Sequence, residues 1–255
     1  MRAILAFLLL TASCLAQNDP RAIYDEALNK LTGGSPNNRD NIRGLDLMTK
    51  SADLGYLPAI IALGTIYDES GSNPSKAAEQ YQKAINRGSH FAEYLLGRLY
   101  FTGAYGGSRR DGEKWLQAAA DEGNPFAAYL LGELMLIREA PADAVRWFRV
   151  ASEQGLPYAQ FRLAKLLLSG RVPINKREAY MWLYVAREAG IDVSADLSWV
   201  ESDLGSSEAA KAKVEARDLN NKVRRAAQPT RCKGWTGELD GLPAIPPFDI
   251  QPYCE

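Results

Sequence analysis

The chain has 255 residues, with 30 Lys and Arg against 31 Asp and Glu, a formal net charge of −1 and 46% hydrophobic residues. That balance fits a folded α-rich chain and argues against a polyanion-binding surface of the kind nucleic acid requires. A single histidine leaves any His-dependent catalytic triad to be built on His90 alone.

The first segment reads as a targeting leader. Arg2 supplies a positive start, residues 3–10 are uninterruptedly apolar, and Cys14, Leu15 and Ala16 precede a cleavage point before Gln17. Residues 1–16 are therefore expected to be a signal peptide directing the chain to the periplasm in soluble form. The alternative is a lipoprotein anchored through Cys14, although Thr11-Ala12-Ser13 puts Thr where such a motif normally carries Leu. No other stretch approaches the ~20 apolar residues of a membrane span.

A glycine then recurs at Gly55, Gly88, Gly123, Gly155 and Gly190, and nine residues after the first four stands Gly64, Gly97, Gly132 or Ala164. A fixed offset repeated in this way marks a repeat architecture. Eight residues before each closing glycine lie Leu47, Gln80, Trp115, Trp147 and Trp182, and seven before lie Met48, Tyr81, Leu116, Phe148 and Leu183. Four before, the side chain is small every time: Ser51, Ala84, Ala119, Ala151 and Ala186. In the helix after each glycine, Leu63, Leu96, Leu131 and Leu163 precede the small ninth position. Bulky and small residues thus alternate at helical spacing, so that one helix can sit close against the next. Each closing glycine suits a left-handed C-cap, and Pro58, Pro125 and Pro157 follow where a new helix can start. Length variation is confined to the loop inside each pair, around residues 70–74, 103–110 and 169–175, while the turn between pairs is constant.

These columns resemble the Sel-one-like repeats (SLR), relatives of the tetratricopeptide repeats. The fifth unit carries the resemblance best, with its Gly170-Arg171-Val172-Pro173 turn and its Glu178-Ala179-Tyr180-Met181-Trp182 helix start; the third carries Leu96-Gly97, Tyr100, Trp115 and Ala119-Ala120. Gln80 in the tryptophan column, Ala164 in a glycine position and a loop at residues 138–141 without glycine depart from the pattern. The expected fold is all-α: a right-handed α/α solenoid of about five helix-turn-helix repeats over residues 20–190, divided as 20–55, 56–88, 89–123, 124–155 and 156–190.

Capping helices are expected over 191–225, with Leu197, Val200, Leu204, Val214, Leu219 and Val223 on the buried side and a helix start at Ser206-Ser207-Glu208. The last segment, 226–255, is rich in proline and contains Cys232 and Cys254. In an oxidising compartment these two would pair, a disulfide contributing about 3 kcal/mol in the chain-entropy model. That tail is either a staple on the last helices or a contact loop with Trp235, Phe248 and Tyr253 as partner anchors.

By analogy with the tetratricopeptide register, positions two before and two after the leucine column line the concave face: Ile61 and Thr65, Tyr94 and Arg98, Tyr129 and Glu133, Phe161 and Lys165. Rigid aromatics beside Arg commonly carry binding energy. The competing reading is that Tyr94, Tyr129 and Phe161 pack between neighbouring helices. No Gly-x-Ser-x-Gly, Ser-x-x-Lys, His-Glu-x-x-His or phosphate-binding loop occurs, and His90 reads as a helix-entry residue. No cofactor or metal is expected, and no enzyme activity. The resemblance implies an exported scaffold of the bacterial cell envelope whose partner is another protein. Its most specific form is an immunity protein that binds a type VI secretion phospholipase effector. The alternatives are an envelope or exopolysaccharide assembly factor, or an atypical enzyme using Arg, Tyr and carboxylate groups of the concave face.

Overall fold

The computed structural model describes residues 19–32, 38–69, 71, 73–106 and 108–226. Among them are twelve helices and no strand: α1 (Pro20–Thr32), α2 (Asn38–Asp53), α3 (Leu57–Glu69), α4 (Pro74–Ile85), α5 (His90–Thr102), α6 (Arg109–Asp121), α7 (Pro125–Ile137), α8 (Pro141–Glu153), α9 (Pro157–Leu168), α10 (Lys176–Glu188), α11 (Ser194–Leu204) and α12 (Ser206–Ala226). The fold is the α/α solenoid expected from the spacing, with α1 to α4 packing in succession and α6 to α12 doing likewise. The described residues form two compact units, one through Ala92 and one from Glu93 onward.

The turn between pairs owes its constancy to one hydrogen-bond pattern. Gly55, Gly88, Gly123, Gly155 and Gly190 all take φ between +86° and +95°. At each, the glycine amide donates to the carbonyl three residues back, and the following amide donates to the carbonyl of the small column residue. The Gly123 and Asn124 amides reach the Ala120 and Ala119 oxygens at 2.9 and 3.0 Å; the Gly155 and Leu156 amides both reach the Ser152 and Ala151 oxygens at 3.1 Å. This is a Schellman closure, which satisfies carbonyls left over at a helix end. Helix starts are signalled just as locally. Asn73, Ser108, Asn124 and Asn175 accept first-turn amides with their side chains, and proline occupies the first turn of α4, α7, α8 and α9.

In the unit through Ala92, α1 packs on α2, α2 on α3 and α3 on α4. Its core includes Tyr24, Met48, Ile60, Ile61, Leu63 and Tyr81. Gly64 is where α3 and α4 touch: a Cβ there would lie 2.6 Å from the Tyr81 ring. In the second unit, Gly97 faces Leu116 at 2.7 Å and Gly132 faces Phe148 at 2.6 Å by the same measure. The ninth-position residue thus abuts the large residue seven before the next closing glycine. That is the close helix approach the columns implied.

After the last repeat, α11 and α12 lie against α10, and Gly205, with φ +78°, separates them. Leu197, Val200 and Val223 are buried as expected, and Leu204 and Leu219 are partly buried. Val214 is not: it is 59% exposed, and the buried stripe runs instead through Ala209, Ala212 and Ala216. Val214 lies two residues from Ala212 and from Ala216, about 200° around the helix from either. Alanines let α12 sit close, where a valine stripe would hold it away.

The leader at residues 1–16 with Cys14, and the tail with Cys232, Cys254, Trp235, Phe248 and Tyr253, lie outside the described residues.

Candidate protein-binding face

The expected face belongs to the first helix of each pair, and its residues do not share one environment. Ile61 and Thr65 on α3 are fully buried, the Thr65 hydroxyl donating to the Ile61 carbonyl at 3.0 Å. They are core residues, not lining. Tyr94 on α5 is 2% exposed, its ring centroid 5.9 Å from that of Phe126, which enters from the start of α7. For Tyr94 the packing alternative holds. Arg98, one turn further along α5, is 9% exposed.

The remaining four residues come together on α7 and α9. Tyr129 is half-buried and its ring tilts against Phe148 at 5.7 Å. Glu133, one turn on, receives two hydrogen bonds from Arg162 of the next repeat: Nε to Oε1 at 2.6 Å and the terminal nitrogen to Oε2 at 2.7 Å. The same guanidinium lies 5.8 Å from the Phe148 ring centre. Burial and the Glu133 carboxylate together push the Tyr129 phenol up to about 12, with Arg162 opposing and Tyr158 adding to the rise. On α9, the Lys165 ammonium sits 5.9 Å from the Phe161 ring and 2.8 Å from Asp196 of α11. Charge is therefore paired along this face, by a bidentate Arg–carboxylate bridge and a Lys–Asp bridge.

Arg162 and Tyr158 escaped the sequence reading. Seven residues after the first four closing glycines stand Ala62, Leu95, Leu130 and Arg162. The first three are buried and apolar, so the arginine is a break in a core column, and that break was the available signal. Tyr158 is 47% exposed at a position where Phe91 and Phe126 are buried. Lys165–Asp196 joins residues 31 apart, and nothing local announces it.

Chemically, this face can stack, donate and accept hydrogen bonds, and hold shape. His90 is exposed at the first turn of α5, away from the α7–α9 groups in sequence and element. Among the described residues no group of three His, Cys, Asp or Glu is placed to hold a metal, and no helix is long and apolar enough to cross a membrane.

Sel1 repeats match residues 31–56, 58–89, 90–124, 125–156 and 157–191. Among solved structures, the chain is similar to a protective antigen of uropathogenic Escherichia coli strains that displays an SLR fold, with 23% identity, a TM-score of 0.69, and coverage of 86% of this chain and 49% of the antigen's. The chain thus spans about half the length of that relative. A Sel1 repeat protein from Oxalobacter formigenes aligns at 22% identity and a TM-score of 0.56, over 91% of this chain and 70% of its own. An immunity protein from Pseudomonas aeruginosa aligns at 21% identity and a TM-score of 0.45, over 80% and 81% of the two chains. With five matched repeats spread over more than half of its length, the chain belongs to the Sel1 repeat family.

Proposed function

We propose that this protein is a non-enzymatic binding scaffold of the bacterial cell envelope, exported through residues 1–16, which holds a protein partner on the α7–α9 face. The observation that carries the reading is the grouping of Tyr129, Phe161 and Arg162 with the exposed Tyr158: Tyr129 packs on Phe148 beside the Arg162–Glu133 bridge, and Phe161 packs partly buried beside the Lys165–Asp196 bridge. Side chains already held in one geometry lose little entropy on binding, which is what an interaction surface needs. In this reading Phe161, Lys165, Tyr129 and Glu133 contribute contact, while Tyr94 and Arg98, both buried on α5, contribute packing. The fourth and fifth repeats, 124–155 and 156–190, build the face, and 191–225 close its end.

Its most specific form is an immunity protein that neutralises a secreted phospholipase effector, which rests on the family resemblance and the leader. The test is affinity capture of a tagged chain of residues 17–255 from its own envelope extract, beside a Phe161→Ala/Arg162→Ala double variant and a chain ending at Arg225. A dominant partner retained by the parent and lost by the double variant supports the face. If that partner is a lipolytic enzyme and loses activity when the chain is added, the immunity reading stands. Retention of an envelope or polysaccharide assembly component replaces it. Retention unchanged in the double variant but lost on shortening moves the contact to the tail.

A further inference from the structure

We propose that the binding face does not end with the repeats but continues onto the capping helix α11, where Trp199 is its terminal anchor, and that the partner segment it takes is extended, uncharged and rich in proline and aliphatic residues. The inference rests on the proposed α7–α9 face and deepens it.

Continuity comes from Lys165. Its ammonium bridges the Phe161 ring on α9 and the Asp196 carboxylate on α11. Trp199 lies three residues after Asp196, hence beside it on the helix surface. Asp203, four residues further on the same stripe, pairs with Lys176 at the start of α10. The stripe of α11 that carries Trp199 is therefore pinned by an ion pair at each end, and between the two the indole stands 56% exposed. Tryptophan is the residue whose exposure forgoes the most apolar burial, and a backbone clamped on both sides gives it a fixed place from which to contact a partner.

The partner's chemistry follows from charge. Arg162 is matched by Glu133, and Lys165 by Asp196, both within the face. A charged segment laid here would have to break a formed pair, or face like charge, to gain a new pair. An uncharged one loses nothing. Beside these pairs the face presents ring surface: the exposed Tyr158 and Trp199 and the partly buried Phe161, in sequence along the two helices. Aromatic surface of this kind suits polyproline-type segments, which arrive already extended and so lose little freedom on docking.

The experiment uses the full exported chain and three capped peptides of about twelve residues: a Pro-Leu-Pro-Ala repeat, and the same repeat with Glu or with Lys in place of Ala. Fluorescence anisotropy of labelled peptide gives each affinity. The uncharged peptide is expected to bind at least about tenfold tighter than either charged one, and to change by less than about twofold between 0.05 and 0.5 M NaCl, since screening acts on charge. Trp199→Ala is expected to weaken it about tenfold or more, with Trp199→Phe between the two. Trp199 is exposed, so unchanged far-ultraviolet dichroism accompanies both variants. Preference for a charged peptide, steep salt dependence, or no binding by any of the three overturns the proposed chemistry. Loss of binding in Phe161→Ala but not in Trp199→Ala overturns the extension onto α11 while leaving the α7–α9 face intact.

Discussion

Two backbone positions and one ionisable side chain carry local consequences. Gly97 leaves a substituent no room, because a Cβ there meets not only the Leu116 side chain at 2.7 Å but the Leu116 backbone nitrogen at 3.0 Å. A side chain can rotate away and a backbone cannot, so Gly97→Val is expected to cost ~1–3 kcal/mol by overpacking, read as a lower urea midpoint. An unaltered midpoint would remove the close approach from the account. At the opposite extreme stands Glu139, with φ +58°, the non-glycine left-handed residue among those described. It closes α7 as the glycines close other helices, its own amide donating to Leu136 and the Ala140 amide to Met135 at 2.9 Å. Glu139→Gly should relieve strain and stabilise the chain by about 1 kcal/mol. The missing glycine in the loop at residues 138–141 was visible in the sequence. That the turn kept its geometry without one was not, because only the backbone angles reveal it.

Tyr129 supplies the third prediction at this scale. Its folded-state value of about 12 lies above that of an ordinary tyrosine, near 10. A raised value means that the folded state resists losing the proton. The associated stabilisation is complete below about pH 10 and is lost as pH rises toward 12. Burial raises Tyr100 and Tyr180 as well, so absorbance at 295 nm should show a late phase in the parent that loses one tyrosine's amplitude at its high-pH end in Tyr129→Phe. Glu133→Gln, which removes the charge and keeps the shape, should move the late phase to lower pH. If it stays where it was, the Tyr129–Glu133 contact is not what holds the phenol protonated.

Among the elements, the informative comparison is between columns. The small residues four before each closing glycine are fully buried in all five repeats, where they are also the carbonyl acceptors of the turn. A second small column, eleven before each closing glycine, comprises Gly44, Ala77, Gly112, Ala144 and Ala179, every one buried. At Gly112 a Cβ would lie 2.6 Å from the Tyr100 Cβ and 3.0 Å from the Gly97 carbonyl oxygen. The two glycines thus let α5 and α6 meet backbone to backbone, and the ninth-position column is only half of that contact. Gly112→Val is expected to destabilise by ~1–3 kcal/mol, and combining it with Gly97→Val should fall short of the sum, since both act on one contact. Full additivity in urea titrations would separate the two sites. Spacing revealed the first column because its partner glycine lies nearby in sequence. The second stayed hidden because alanine and glycine are common in any helix and acquire meaning only when a facing helix is known.

For the molecule as a whole, stability in such arrays is close to a sum over repeats and their interfaces, so the last repeat depends on what covers it. Helices α11 and α12 cover α10, burying Leu197, Val200, Ala212 and Ala216 in one core with Tyr180 and Leu183. Ion pairs add to this at the edge: Lys165–Asp196, Lys176–Asp203, and Arg177 with Glu208 and Glu215, the cations all on the fifth repeat and the anions all on the cap. Exposed pairs contribute only about 0–1 kcal/mol each, so the apolar contact dominates and the charges fix placement. A chain ending at Gly190 should consequently unfold at lower temperature and self-associate in light scattering. A chain that remained monomeric with an unchanged transition would make the cap dispensable.

The sequence by itself determined the repeat, its register, the turn between pairs and the presence of helices after the last repeat. Each of these is written in local chemistry: a left-handed glycine, a capping asparagine, a proline in a first turn, a large residue facing a small one at fixed offset. Which lining positions are open was decided only by tertiary structure. Tyr94 and Tyr129 occupy equivalent places in the repeat, yet Phe126 packs against the first, while Glu133 and Arg162 border the second. Likewise Arg162 meets Glu133, and Lys165 meets Asp196, across about thirty residues of chain. Periodicity reports what a helix does to its own residues. It carries no record of which side chain from the next helix arrives opposite, and on that encounter the proposed binding face depends.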